Sequence, residues 1–174
     1  TDFGDLSNSR DKFGSCGNTT RGVFSGGFYV GLGTSGNTKS NVIDYITIAS
    51  TGNVTDFGDL TVGRQEISSG VTSSSTRGLT MGGDSGSTSD VIDYITIAST
   101  GNATDFGDLT VAMSFGFSSS NATRAVCGRD SWTHANNIDV VTIATTGNAT
   151  DFGDLATAAR GQAGACGGQG GLTA

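Results

Sequence analysis

Closely spaced carboxylates are the first residues in this chain that could do chemistry. The string TDFGDL begins at Thr1, Thr55, Thr104 and Thr150, so each copy offers two aspartates on either side of a Phe-Gly pair. Asp-Phe-Gly also binds Mg²⁺ in protein kinases, but the sequence lacks the Gly-rich loop, VAIK strand and HRD loop of that chemistry. Ca²⁺ needs about six to eight oxygen ligands. Because each copy supplies only two carboxylates on an extended segment, we expect no cofactor, with Ca²⁺ as the alternative.

The repeated aspartates and arginines are instead predicted to stabilise the scaffold. A carboxylate near a glycine bend can accept backbone N–H groups, and an arginine that recurs at one place in each unit could lock neighbouring strands through a bidentate pair. These aspartates are Asp56, Asp59, Asp105 and Asp108, and these arginines are Arg21, Arg77 and Arg124. We hypothesise that one repeated aspartate set pairs with the arginines. The candidates include the aspartates that follow an isoleucine, Asp44, Asp93 and Asp139.

Catalytic constellations are not indicated. His134 is the only histidine and Glu66 the only glutamate, and neither stands in a pattern that completes a triad. Cys16, Cys127 and Cys166 form no CxxC pair, which argues against zinc. A glycosidase would need two carboxylates about 5 to 10 Å apart in a cleft, and the repeated aspartates single out no such pair. We therefore predict a protein that is not an enzyme.

Recognition residues are predicted where the units differ. After the second apolar run the units read FYVGLGTSGNTKSN, DSGSTSD and RDSWTHANN, and variable loops on a rigid scaffold are the usual place for binding. Aromatic and charged residues in these loops could form a platform for a sugar ring. They are Phe28, Tyr29, Lys39, Arg129, Trp132 and His134. Packing within a loop or against another subunit is the alternative role.

The elements that position these residues come from a repeat. The four TDFGDL copies lie 54, 49 and 46 residues apart, and a period of about 20 to 50 residues indicates stacked units. In residues 61–109 four runs rich in β-branched residues are separated by glycine and asparagine, and TGN at Thr100–Asn102 is a hairpin signal. The run VIDYITIA is apolar on both faces, as in a sheet covered on both sides. The chain is therefore predicted to be all-β, with units of four antiparallel strands.

A resemblance narrows this architecture. TRGVFSGG at Thr20–Gly27 and TRGLTMGG at Thr76–Gly83 resemble the double-glycine second strand of kelch repeats, although TRAVCGRD in the third unit departs from it. Together with IDYITIASTGNATDFGDL, these strings resemble kelch-like repeat arrays in virion and tail-fibre proteins of marine bacteriophages, especially cyanophages. The resemblance implies a kelch-like β-propeller and a virion or extracellular location.

Unit boundaries follow from the motif spacing. Residues 1–6 would be the last strand of a preceding blade, residues 7–60, 61–109 and 110–155 three blades, and residues 156–174 part of another. Three blades are fewer than the smallest propellers use. We therefore expect an incomplete propeller, closed by further repeats of a longer chain or by other chains, with a β-prism or solenoid as the rarer option.

Charge narrows the choice of partners. The formal net charge is −7, and the repeated DFGD and ID positions supply 11 of the 16 acidic residues. This negative charge argues against nucleic-acid binding, which needs a basic surface. No stretch is apolar enough for a membrane span. The predicted functions are host-surface attachment through a glycan or protein receptor, or a purely structural role based on self-association or on other virion subunits. A propeller glycosidase is the third alternative.

Overall fold

Antiparallel strands make up this protein, as a computed structural model shows. The structure describes residues 2–29, 38–68, 72–130, 136–157 and 164, with the backbone alone for residues 129 and 130. The strands are β1 (Arg10–Asp11), β2 (Gly14–Gly17), β3 (Arg21–Ser25), β4 (Phe28–Tyr29), β5 (Val42–Thr47), β6 (Thr55–Asp59), β7 (Arg77–Met81), β8 (Ser89–Thr96), β9 (Thr104–Ser120), β10 (Arg124–Asp130), β11 (Asn137–Thr142) and β12 (Thr150–Asp154). The all-β prediction is confirmed, and none of the sheets that these strands form is closed.

The first unit is a four-stranded meander. Its order is β2-β3-β5-β6, while β1 and β4 pair as a separate two-stranded sheet. Its central strands β3 and β5 are rich in β-branched and aromatic residues, and the register places Val23 opposite Tyr45. Between β5 and β6 the register shifts at Ile43 and Asp44. The same shift recurs at Ile92 and Asp93 and at Ile138 and Asp139, so each unit turns its aspartate inward in the same way.

The second and third units share one strand. Residues 104–108 of β9 pair with β8, and residues 114–120 pair with β10. The sheet therefore has the order β12-β11-β10-β9-β8-β7. In the predicted first strand of the second unit, the described residues pair with β7 through a bridge between Ser73 and Gly78 and a hydrogen bond from Leu79 N to Thr72 O at 2.8 Å.

The core lies between consecutive units. One cluster joins Val23, Ile43 and Phe57 of the first unit to Ile95 and Ile97 of the second. A second cluster has a similar composition one unit further on. It contains Leu79, Ile92, Phe106, Ala125, Val141 and Ile143. Each fully buried aliphatic side chain contributes about 1.5–3 kcal/mol, so most of the apolar stabilisation comes from stacking one unit on the next, as in other repeat proteins.

The repeated TGN turn docks on the TDFGDL strand of the preceding unit. Gly101 N donates to Phe57 O at 2.7 Å, and Asn102 Oδ1 accepts the Asp59 N–H at 3.1 Å. Gly52 and Asn53 make the same contacts with residues 3 and 5, as Gly147 and Asn148 do with residues 106 and 108. A Cβ on Gly58 would lie 2.4 Å from Gly101 O. This close approach explains why the two motifs recur together.

Candidate functional site

The two opposite ends of the strands differ in sequence and in contacts. The loop end is defined here as the end where β3 leads into β4 and where β5 and β8 begin, at residues 26–29, 38–41 and 82–88. The turn end is the opposite end of the same strands, and it carries the TGN turns. Phe28, Tyr29 and Lys39 lie at the loop end, bridged by backbone pairing between Phe28 and Lys39. The predicted loop residues that the structure describes are thus neighbours.

Charged and aromatic side chains from all three units meet at the loop end. Lys12 Nζ lies 5.8 Å from the ring centroid of Phe28 and 5.7 Å from that of Phe115. It also forms an ion pair with Glu66 Oε1 at 3.2 Å. Lys12 and Phe115 are exposed, and Phe28 and Glu66 are half-buried. We call Lys12, Phe28, Glu66 and Phe115 the loop-end cluster. It offers ring faces and a cation on one accessible surface.

The backbone beneath the loop-end cluster is strained. Lys12, Glu66 and Phe115 have φ angles of 55°, 54° and 56°, in the left-handed region. For residues other than glycine this conformation costs on the order of 1–3 kcal/mol, and it persists most often at binding sites. Each residue stands two positions after the equivalent residue of its unit, Arg10, Arg64 or Met113. Sequence reasoning predicted Phe28 of this cluster but missed Lys12, Glu66 and Phe115, because these three residues share no chemical type.

A second polar group ties the first two units together beside this cluster. Asp84 accepts hydrogen bonds from Lys39 Nζ at 3.0 Å, Gln65 Nε2 at 3.0 Å and Gly86 N at 2.8 Å. Partial burial acts to raise the pKa of Asp84, but the hydrogen bonds from Gln65, Gly86 and Lys39 outweigh it and lower the pKa below the ordinary value of 3.8. Lys39 is therefore oriented by its partner.

Tyr29 is also fixed by a hydrogen bond. Ser40 Oγ donates to Tyr29 Oη at 3.1 Å. The side chain of Arg129, together with Trp132 and His134, lies outside the described residues. The complete six-residue platform therefore stays a prediction, although Phe28, Tyr29 and Lys39 share one surface.

Buried ion pairs occur in two units, but with other arginines than predicted. Arg10 Nη2 lies 2.8 Å from Asp44 Oδ2, and Arg64 Nη2 lies 2.9 Å from Asp93 Oδ2. Burial lowers the pKa of both guanidinium groups, with the aspartates opposing that effect. In the third unit Met113 occupies the position of these arginines, and Asp139 keeps hydrogen bonds from Thr110 N and Oγ1, at 2.8 and 2.6 Å, like those that Asp93 accepts from Thr61.

The hypothesis that the repeated arginines pair with these aspartates is therefore wrong. Arg21 stacks on Tyr45, with its Cζ 4.5 Å from the ring centroid, and donates to Ile97 O at 2.7 Å. Arg77 stacks on Tyr94 in the same way and donates to Ile143 O at 3.1 Å. Both guanidinium groups therefore reach backbone of the following unit. A single sequence could not distinguish Arg10 and Arg64 from Arg21 and Arg77 as the ion-pair partners.

In three of the four TDFGDL copies, the first aspartate acts as predicted on its own backbone. Asp105 Oδ1 accepts the Gly107 N–H at 3.2 Å and Asp151 Oδ1 accepts the Gly153 N–H at 3.0 Å, and Asp2 does the same for Gly4. Within the described ranges, no three His, Cys, Asp or Glu residues are grouped so that they could hold a metal ion.

Cys16 and Cys127 are buried free thiols. Burial raises the pKa of Cys16 to about 12, and burial together with Asp139 raises the pKa of Cys127. Cys16 lies between the first two units, since a Cβ on Gly78 would lie 2.3 Å from its Sγ. Cys166 lies outside the described residues.

Comparison with known proteins adds no family to this description. No protein-family model matches the chain, and no curated protein matches it. The described part of the chain contains no helix that is long and apolar enough to cross a bilayer.

Proposed function

We propose that this chain is a non-catalytic binding module of a virion or tail fibre, built as kelch-like β-propeller blades, that attaches to a glycan or protein on the host surface. The loop-end cluster is the observation that carries the proposal. It combines two ring faces, a cation and a carboxylate on strained backbone, at the end of the strands where the units differ in sequence. Aromatic faces with polar neighbours suit sugar rings.

Contacts among the first segments of the three units support blades arranged around an axis. Ser73 Oγ donates to Gly17 O at 2.7 Å, and Ser120 Oγ donates to Ser73 O at 3.0 Å. Residues from the three units therefore follow one another side by side, as the inner strands of propeller blades do. Ring closure by further repeats or other chains is part of the same proposal.

An array of bacterial surface polysaccharides tests the attachment function. The wild-type chain is expected to bind at least one polysaccharide class, and Phe28→Ala and Trp132→Ala are expected to lose that binding because each removes a stacking face. Phe3→Ala is the matched control, since Phe3 is an exposed aromatic residue on the segment that docks at the turn end. Absence of binding by every variant and by the wild type would refute attachment to glycans.

Structural assembly is the second candidate function. The observation in its favour is the exposure of Phe152. Phe152 is 56% exposed, whereas the equivalent residues Phe57 and Phe106 are only 2% and 3% exposed. An apolar residue that is buried between units elsewhere in the chain indicates a surface built for another unit.

A further inference from the structure

The outer surface of the third unit is an interface without its other half among the described residues. We define the tail face as Arg124, Val126, Val140 and Phe152. Their equivalents in the first unit are Arg21, Val23, Tyr45 and Phe57, and all of these lie against the second unit or the core beside it. On the tail face, an open cavity of about 500 Å³ is lined by Arg124, Val140 and the turn residues 145–148.

The opposite end of the stack presents the complementary surface. We define the head face as Gly22, Ile46, Ile48 and the turn at residues 51–53. Its equivalents in the second unit are Gly78, Ile95, Ile97 and residues 100–102, which receive the first unit. Ile97 and Ile143 are 0% and 1% exposed, whereas Ile48 is 48% exposed. At Ile48 the head face therefore lacks the contacts that bury Ile97 and Ile143.

The two internal interfaces specify what fits between these faces. In each interface, an arginine donates a hydrogen bond to the backbone carbonyl of Ile97 or Ile143 in the following unit. A TGN turn of the following unit also binds the TDFGDL strand through backbone hydrogen bonds. Arg124 is exposed, and within the part of the chain that the structure describes no partner of its guanidinium group is found. The carbonyl of Ile48 is the equivalent acceptor on the head face, and a second copy of this chain would supply it.

One segment already occupies part of the head face. Residues 2–6 dock on the turn, with Gly52 N donating to Phe3 O at 2.7 Å. TDFGDL at residues 1–6 is identical to TDFGDL at residues 150–155. The strand from a second copy would therefore make the same backbone contacts, and it would bring Arg124, Val126 and Val140 with it.

We propose that the tail face of one copy binds the head face of a second copy, and that residues 151–155 of the first take the place that residues 2–6 hold on the second. This inference deepens the assembly role proposed above and is independent of the loop-end cluster. The interface is heterologous, because different patches meet, so it generates chains of copies unless the rotation closes a ring. Both copies carry a net charge of −7, so added salt strengthens the association by screening repulsion.

Light scattering on wild type and two single-face variants tests this proposal. The wild-type mass is expected to rise with concentration above the 17.4 kDa of one chain. Phe152→Asp and Ile48→Asp each spoil one face and leave the other intact, so each alone stays a monomer. An equimolar mixture of the two forms a 1:1 dimer that cannot extend. Val62→Asp is the control, since Val62 is exposed outside both faces, and it associates like the wild type.

Several outcomes would overturn the proposal. A wild-type chain that stays monomeric at every concentration and salt level excludes the interface. Variants that remain monomeric when mixed, although the wild type associates, exclude a head-to-tail arrangement. Circular dichroism of each variant separates these results from misfolding. Deleting residues 1–6 removes the competing segment and is expected to tighten association, and weaker association would refute the replacement of residues 2–6 by residues 151–155. Polysaccharide binding by the monomeric Phe152→Asp variant would show that attachment does not depend on this interface.

Discussion

Replacing Arg64 by Met is the most direct test of the buried ion pairs. Arg64 and Asp93 have side chains that are 0% and 1% exposed, with Nη2 and Oδ2 2.9 Å apart. Removing one partner of a buried pair costs about 3–5 kcal/mol, because the remaining charge stays buried and uncompensated. Two features place the expected loss at the lower end. Asp93 keeps its hydrogen bond from Thr61 Oγ1 at 2.6 Å, and the buried Nε and Nη1 of Arg64 have no hydrogen-bond partner among the described residues.

The third unit supports this magnitude, because Met113 occupies the equivalent position there while Asp139 stays buried. We therefore expect Arg64→Met to lose about 3 kcal/mol of unfolding free energy, which lowers the melting temperature by roughly 6–12 °C in a chain of this size. Urea denaturation and calorimetry measure both quantities. Arg124→Met is the control, because an exposed site of this kind changes stability by about 0.5 kcal/mol or less. If Arg64→Met costs no more than Arg124→Met, the ion pair does not hold the second unit together.

Three further predictions concern the turn end, the loop end and the thiols. Gly107→Ala is expected to destabilise the protein more than Gly153→Ala in thermal melts. Both glycines have positive φ angles that disfavour alanine, but a Cβ on Gly107 would lie 2.6 Å from Gly147 O, whereas a Cβ on Gly153 would meet no described atom within 4 Å. Equal decreases in melting temperature would show that the backbone around Gly147 moves aside at no cost in stability. Because the folded pKa of Asp84 is lowered, its share of stability is present above its ordinary pKa of 3.8 and is lost as pH falls through the folded value. Unfolding free energy should therefore drop in acid less steeply in Asp84→Asn than in wild type, and parallel curves would contradict this. In a Cys166→Ser variant, the buried thiols of Cys16, whose pKa is about 12, and of Cys127 should react with a thiol reagent only after denaturant is added. Reaction in the native protein would contradict the burial of at least one of them.

The sequence predicts the periodic parts of this fold well. The β-branched runs, the TGN turns and the carboxylate contacts with glycine N–H groups all follow from local residue types. Long-range partner choice does not. Arg10 and Arg21 are both arginines near the start of a unit, and only the packed structure shows that Asp44 accepts from Arg10 while Arg21 reaches the next unit.

The loop-end cluster shows the same limit more sharply. Lys12, Glu66 and Phe115 have no common chemistry, and non-glycine residues give no signal of left-handed backbone. Their relation appears only when positions are counted from the buried fourth residue of each unit, Arg10, Arg64 or Met113. Phe28 and Lys39 could be predicted at this surface because they depart from the repeat, whereas Lys12 could not.

The strand shared by the second and third units has a mechanical consequence. Force or thermal fluctuation that separates the two units must bend or break β9, which runs unbroken for 17 residues, and must also break the pairing of Ser89 with Met113. The first unit is joined to the second by side-chain packing and a TGN turn, without a common strand among those described. Hydrogen exchange should therefore reveal two cooperative blocks, with the first unit opening alone and the second and third opening together.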